Sequence, residues 1–366
     1  MARFEGALAR ASARHGLLPA AHAEIISRVC ERAHFDAAAL AREGRAGTLA
    51  IPLVKQLTAE VAAVSKEAAR HVHAGATSQD LIDTGAVLCL KPACARSAQL
   101  TVRLGNAAAE LARRHAGTPT AARTLLQPAL PVTFGWKASV WLSMLARSLA
   151  GMRAAAASAC ILQFGGPSGT LSSFGERGAA VMAALAQELD LPGSVVPWHS
   201  ARDRFARLGA ELAILAGVAG KIGRDVSLLM QPEVGEAAEA AKAGRGGSSS
   251  MPHKRNPALS MLALEAAQRT PALAATLLSQ LTPEHERGLG QWQSQWFTLR
   301  ELVCASASGA AAMADALEGL EVNETRMRAN LAALLKDQPQ DCGAAGAMIE
   351  HALGEWRTAT SPGTAP

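Results

Sequence analysis

Between Asp203 and Gln231 the chain carries Leu208, Leu212, Leu215, Ala219, Ile222, Val226 and Leu229, separated by alternating steps of four and three with no proline among them. That repeat predicts a helix with one long buried seam. About 24 residues at ~1.5 Å each make it roughly 36 Å long, more than an average globular helix and suited to a bundle. Ala138, Leu142, Leu145, Leu149, Met152 and Ala156 keep the same step inside the proline-free segment 132–160, which predicts a second. A third follows Asp83 through Leu88 and Leu100 to Leu111, and Pro92 predicts a kink or a break in it. No stretch alternates over several β-branched positions, so no large sheet is expected. The pattern reads as an all-α protein: a central bundle of long antiparallel helices over 85–320, with smaller helical parts at 1–84 and 321–366.

Composition sharpens this. Hydrophobic residues make up 49% of the 366 but aromatics only 4%, so the core is built from Ala, Leu, Val and Ile, which lets helices approach closely. Tyr is absent, which leaves Ser, His, Lys and carboxylates to move protons. The 36 Lys and Arg against 31 Asp and Glu give a net charge of +5 with both signs interspersed, which argues against a nucleic-acid partner and suits a small polyanion. The longest weakly polar stretch, 154–164, is shorter than the ~18 residues a membrane span needs. The N-terminal segment has the Arg, Ser and Ala of a transit peptide, but Glu5 and the later run IISRV fit an ordinary amphipathic helix. Six cysteines without a C-x-x-C pair read as buried thiols in a reducing, cytoplasmic setting. His71 and His73 lack a third ligand, so no metal is expected.

Gly and Pro collect at 163–175, 191–199 and 241–257, and chemistry on a helical scaffold belongs in such breaks. In the segment 244–257, clustered glycines let backbone N–H groups converge, while Ser hydroxyls, Lys254, Arg255 and Asn256 add donors and charge. The result is an anion-binding loop able to close. Its core, GSSSMPHKRNP, resembles the signature loop of the aspartase/fumarase superfamily, G-S-S-x-M-P-x-K-x-N. The resemblance implies that Ser248 moves the proton on the carbon beside a carboxylate, that Lys254 and Asn256 hold that carboxylate, and that Ser249 and Met251 line the substrate. The chemistry is coherent, because charge develops on the carboxylate oxygens and preorganised donors aimed there are worth ~3 kcal/mol each. The same donors make a serine alkoxide accessible.

Residues 73–84, HAGATSQDLIDT, resemble the superfamily's first shared region, which implies Thr77, Ser78 and Gln79 as donors to substrate carboxylates and His73 as a contact or proton carrier. The same residues predict a helix N-cap, and a helix N-terminus is itself an anion site. Residues 123–133, RTLLQPALPVT, resemble the second region and imply Thr124 and Gln127 at the substrate. Pro128 constrains Gln127 toward extended geometry. Adenylosuccinate lyase and fumarase follow that Thr with an acid/base His and place a Glu seven residues after the loop Lys; here these positions hold Leu125 and Met261.

The branch lacking both is similar to this chain at 50–61, 162–171, 197–204, 220–236 and 283–292 as well. In it a substrate carboxylate adds to a double bond of the same molecule. The implied activity is interconversion of 3-carboxy-cis,cis-muconate and 4-carboxymuconolactone, without metal or organic cofactor, the proton coming from Ser248. Where that branch carries Trp and His, this chain has Leu125 and Pro128. Arg202 and Arg287 are candidate forks for the tricarboxylate, or else ion-pair partners of Asp203, Glu284 and Glu286. The resemblance further implies a fumarase/aspartase-like fold and a homotetramer whose active sites each draw on three chains. It also implies a chain that begins at the family's first long helix and an abbreviated C-terminal part. Two alternatives remain open: another superfamily lyase of the adenylosuccinate or argininosuccinate type, and a non-catalytic structural paralogue.

Overall fold

The computed structural model describes every residue except 243, 249, 252, 335–340 and 362–366. In chain order the helices are α1 (Ala2–Arg14), α2 (Ala20–Arg32), α3 (Ala37–Glu43), α4 (Ala50–Val64), α5 (Lys66–Ala69), α6 (Ser78–Arg114), α7 (Phe134–Ala159), α8 (Gly178–Leu189), α9 (Asp203–Leu229), α10 (Ala258–Leu278), α11 (Gln291–Glu318), α12 (Glu324–Leu334) and α13 (Ala345–Thr360). The described strands form only two antiparallel pairs, β1 (Pro119–Thr124) with β2 (Gln127–Thr133) and β3 (Ala237–Ala238) with β4 (Glu321–Val322). The fold is all-α, as the periodicity predicts.

The chain divides into two compact units. One comprises Met1–Pro92, Ala157–Arg204 and Gln280–Trp296, the other Ala93–Ala156, Phe205–Ser279 and Phe297–Pro366. The second unit holds the seams. All seven seam residues of α9 are buried. In α7, Ala138, Leu142, Leu145, Leu149 and Met152 are buried and Ala156 is half-buried. Close approach depends on small residues: a Cβ on Gly220 would lie 2.4 Å from the Ala267 Cβ, so α9 and α10 meet there only through glycine. Trp141 Nε1 donates to Asp225 Oδ2 at 2.7 Å and ties α7 to α9.

Pro92, where the sequence predicts a kink or a break, lies inside one continuous 37-residue helix. Leu81, Val87, Leu90, Cys94, Leu100, Leu104 and Leu111 are buried along it. At ~1.5–3 kcal/mol per buried large side chain, this packing outweighs the ~3 kcal/mol cost of an internal proline.

The first unit has a separate core in which Ala9, Leu18, Ala23, Ile26, Leu57, Val61, Ala68 and Ala69 pack together. Phe4 meets Phe164 edge-on at 6.2 Å, and Phe164 meets Phe174 at 5.5 Å. The thiols correct one expectation: Cys94 and Cys160 are buried, but Cys89 and Cys304 are exposed. Among the described residues no helix is long and apolar enough to cross a membrane.

Candidate active site

Thr77 caps α6, the longest helix, and its backbone N–H donates to Asp80 Oδ2 at 3.0 Å, half of a capping box. Asp80 does more than cap. Its buried carboxylate also accepts from Gly165 N–H (2.9 Å), Gly166 N–H (2.8 Å) and His199 Nε2 (2.7 Å), joining three distant segments. The N–H groups of the helix's first turn have no intrahelical partner, and the Thr77 and Ser78 side chains are only half-buried beside them. The end of α6 therefore presents donors and the positive pole of a long helix. These are the residues for which the sequence predicts both a cap and an anion site.

His73 adopts a left-handed backbone (φ 59) at which its Nδ1 lies 2.6 Å from Glu5 Oε1, while its N–H donates to Glu5 Oε2 at 3.1 Å. Burial pushes the imidazole toward neutrality, but the hydrogen bond and charge of Glu5, joined by Asp80, outweigh it and hold the pKa above the ordinary histidine value. The strained backbone is thus held by a buried carboxylate that favours the imidazolium.

Gln79 is fully buried. Its Nε2 donates to Asp83 Oδ2 (3.2 Å) and the His199 carbonyl (2.9 Å), and its Oε1 accepts from Arg287 Nε (3.1 Å). Arg202 is committed as well: its guanidinium grips Asp83 through Nη1 (2.7 Å) and Nη2 (3.1 Å), bonds Gln295 Oε1, and lies 4.9 Å from the centre of the Trp198 ring. Both side chains are buried. Arg202 is therefore in an ion pair with Asp83, which sequence did not suggest as its partner.

Arg287 differs. It is exposed, its Nη2 donates to the Pro167 carbonyl at 3.1 Å, and among the described residues no carboxylate lies within ion-pair distance of it. Its loop is stiffened by Glu284, whose carboxylate accepts from Leu289 N–H (3.0 Å) and Gln291 Nε2 (3.1 Å). Those bonds hold the Glu284 carboxyl below the usual range, the Leu289 bond foremost.

The other predicted residues belong to the second unit. Thr124 and Gln127 face each other across the turn of the β1–β2 hairpin and are exposed. Pro128 does leave Gln127 extended, in β2. Leu125 and Leu126 form the turn, both with positive φ (49 and 63), and Leu125 is 97% exposed. The hairpin base is anchored by Arg123, which grips the buried Glu236 through Nη1 (2.9 Å) and Nη2 (2.7 Å). Thr120 Oγ1 (3.1 Å) and Asn330 Nδ2 (2.8 Å) complete that carboxylate. Burial alone would raise the Glu236 pKa, but the Arg123 and Asn330 hydrogen bonds pull it below the usual range.

The signature loop closes on itself. Asn256 N–H donates to the Gly246 carbonyl at 2.8 Å, and its Nδ2 to the Gly247 carbonyl at 3.3 Å. Gly246 (φ +72) permits this, since a Cβ there would sit 2.7 Å from the Asn256 carbonyl. Ser248 Oγ accepts the Met251 N–H at 3.2 Å, a donor that stabilises an alkoxide on that oxygen. Lys254 and Met251 are exposed, while Ser249 lies outside the described residues. Beyond the loop, Glu239 accepts from Leu259 N–H (3.0 Å) and Ser260 N–H (2.8 Å), capping α10 where Pro257 cannot. Lys254, His253 and Asn256 line a cavity of about 1200 Å³ with Met230, Glu321 and Glu324.

A family model described as Lyase matches residues 1–270. The chain belongs to this lyase family. It is 50% identical over 333 residues to a 3-carboxy-cis,cis-muconate cycloisomerase of Bradyrhizobium diazoefficiens, a match covering 90% of this chain and 74% of the relative. A protein of the same name from Pseudomonas aeruginosa is 50% identical over 332 residues, 90% of this chain and 72% of that one. The solved 3-carboxy-cis,cis-muconate lactonizing enzyme from Pseudomonas putida superposes with a TM-score of 0.91 at 34% identity, over 98% of this chain and 94% of that chain.

Against that family, Leu125 at the hairpin tip and Met261 on the first turn of α10, 62% exposed, leave no ionisable group at either position of the His/Glu pair. Sequence reasoning missed Glu5, Asp83, Glu236 and Glu239, which hold the site's residues in place. Glu5 had a local signal, a carboxylate on the apolar stripe of α1 beside Phe4 and Leu8. Asp83 lies inside the 73–84 motif, four residues after Gln79, while Glu236 and Glu239 are paired with residues more distant in the chain and had no local signal.

Proposed function

We propose that this chain catalyses the reversible cycloisomerisation of 3-carboxy-cis,cis-muconate to 4-carboxymuconolactone, a step in the breakdown of protocatechuate. The observation that carries the reading is the closed signature loop, in which Ser248 Oγ accepts a backbone N–H while the His/Glu pair positions hold Leu125 and Met261. An addition within one molecule has no separate leaving group to protonate, so one proton carrier suffices. In the lactonising direction a substrate carboxylate oxygen bonds to the distal alkene carbon, and the π pair moves onto the carbon beside another carboxylate. Ser248 O–H then delivers its proton to that carbon, and the N–H of Met251 stabilises the alkoxide left behind. In reverse, the alkoxide removes the proton and the lactone C–O bond breaks. Lys254 and Arg287 bind substrate carboxylates, with Thr77, Ser78 and the α6 N-terminus as further donors.

The proposal includes a cytoplasmic homotetramer in which each site collects its three regions from three chains, with no nucleic-acid or membrane partner. Support comes from apolar side chains left exposed on α9, α10 and α11 (Ile214, Met261, Leu262 and Phe297) and from the exposed Leu125, Leu126 and Leu130 of the hairpin. Purified protein should deplete muconate absorbance and leave adenylosuccinate intact. A properly assembled protein that turns over neither compound would overturn the enzymatic reading.

A further inference from the structure

We infer that Gln79 is a positioning residue that holds Arg287 ready for a substrate carboxylate, and is not itself a substrate ligand; this rests on the reading of Arg287 as a carboxylate ligand. The argument starts from what surrounds the Gln79 amide. Asp83 Oδ2 at 3.2 Å and the His199 carbonyl at 2.9 Å both accept hydrogen bonds only, so the NH2 end must face them. Both of its hydrogens are then spent. The Oε1 end faces Arg287 Nε at 3.1 Å, a group that only donates. Each polar end thus has one chemically permitted direction, and no donor remains for an anion.

Asp83 cannot turn away from Gln79. Arg202 holds it at 2.7 and 3.1 Å, Trp292 Nε1 donates to it at 3.0 Å and Gln163 Nε2 at 3.4 Å. A rigid buried chain, Arg202 to Asp83 to Gln79, therefore ends at an exposed guanidinium. On Arg287, Nε is given to Gln79 and one Nη2 hydrogen to the Pro167 carbonyl at 3.1 Å. Both acceptors are neutral, so the charge is undiminished and the Nη edge keeps the paired donors that match a carboxylate. The Glu284 clasp fixes the backbone beneath. Ordering a long arginine before the ligand arrives lowers the entropy lost on binding.

The test is a double-mutant cycle on the assembled full chain, reading calorimetric affinity for tricarballylate, a saturated tricarboxylate, and KM for muconate. Gln79→Met and Arg287→Met should each weaken affinity about tenfold, the order expected for one charge-assisted contact. The double variant should bind no worse than Arg287→Met alone. A crystal structure of Gln79→Met should show the Arg287 side chain displaced from Pro167. Losses that multiply, or an Arg287 unmoved in that crystal, overturn the inference. If Gln79→Met lowers the unfolding midpoint, Gln79→Asn, which withdraws the amide by one methylene, goes through the same cycle with the same outcomes. Arg287-dependent binding without muconate turnover refutes the proposed reaction and leaves the positioning role standing. Binding indifferent to Arg287→Met refutes the role of both residues.

Discussion

His73 Nδ1 lies 2.6 Å from Oε1 of Glu5, a carboxylate 68 residues earlier in the chain and almost wholly buried. Two opposed effects act on this imidazole: burial disfavours its charge and Glu5 restores it. Removing Glu5 leaves burial opposed only by the more weakly acting Asp80. In Glu5→Gln the His73 titration, followed by NMR, should fall from above to below the ordinary ~6.5. Because the folded pKa is raised, the pair's contribution to stability is complete below the unfolded value and lost as pH rises through the folded one. A midpoint that Glu5→Gln leaves in place would refute this.

Ser248→Ala removes the proton carrier but leaves Lys254, Arg287 and the α6 N-terminus. We expect kcat to fall by roughly 10³-fold, within the span usual for general acid–base catalysis, with tricarballylate affinity nearly unchanged. Undiminished turnover would remove Ser248 from the mechanism while leaving the function untouched.

Arg202→Met strands Asp83, whose carboxylate is buried against Arg202. Removing one partner of a buried pair costs about 3–5 kcal/mol, so urea unfolding should show a much lower midpoint. If Arg202 instead served the substrate directly, the midpoint would hold and only KM would rise.

Glu236 stands below the usual carboxylate range through Arg123 and Asn330, against the pull of burial. Its contribution to stability is present above the unfolded value of ~4.3 and lost as pH falls toward the depressed folded value. Urea midpoints measured from pH 6 to pH 3 should fall steeply for the native chain and more gently for Glu236→Gln. Parallel curves would contradict the assignment.

Leu125 and Leu126 hold left-handed conformations that Asn-Gly adopts without strain. Replacing both by Asn-Gly should stabilise the isolated hairpin by about 1–2 kcal/mol per relieved residue. Should the apolar tip dock on a second copy, the same change weakens assembly, read as a lower tetramer fraction by light scattering. A tetramer unaffected by the replacement would exclude the tip from the interface.

The long helices were legible because their evidence is local: a 4-3 step needs only neighbours, and the seams of α7 and α9 are buried nearly residue for residue. The signature loop was legible because its parts are contiguous. Even Gln127 in β2 was foreshadowed, by the proline that follows it. What stayed hidden are pairings across sequence distance. Arg202 has acidic neighbours nearby, yet its partner is Asp83, 119 residues upstream, and nothing near Arg202 in the sequence points to that carboxylate. Pro92 did not break its helix for the converse reason, since a local breaker is overruled when the residues around it are buried.

The four bonds that Asp80 accepts also order events in time. Its partners at 165, 166 and 199, and the Trp292 that meets Asp83 209 residues later, come from segments interleaved with the other unit. The first 92 residues therefore leave the ribosome with two acids that have only a local donor each, Thr77 N–H for Asp80 and Gln79 Nε2 for Asp83, while the rest do not yet exist. At about 5–20 residues per second, some 200 further residues take roughly 10–40 s. During that interval the second unit's first helices emerge while the first unit is still unfinished. A chain stopped before Trp292 would be left with Asp83 short of a buried donor, and such fragments should be aggregation-prone and rapidly degraded.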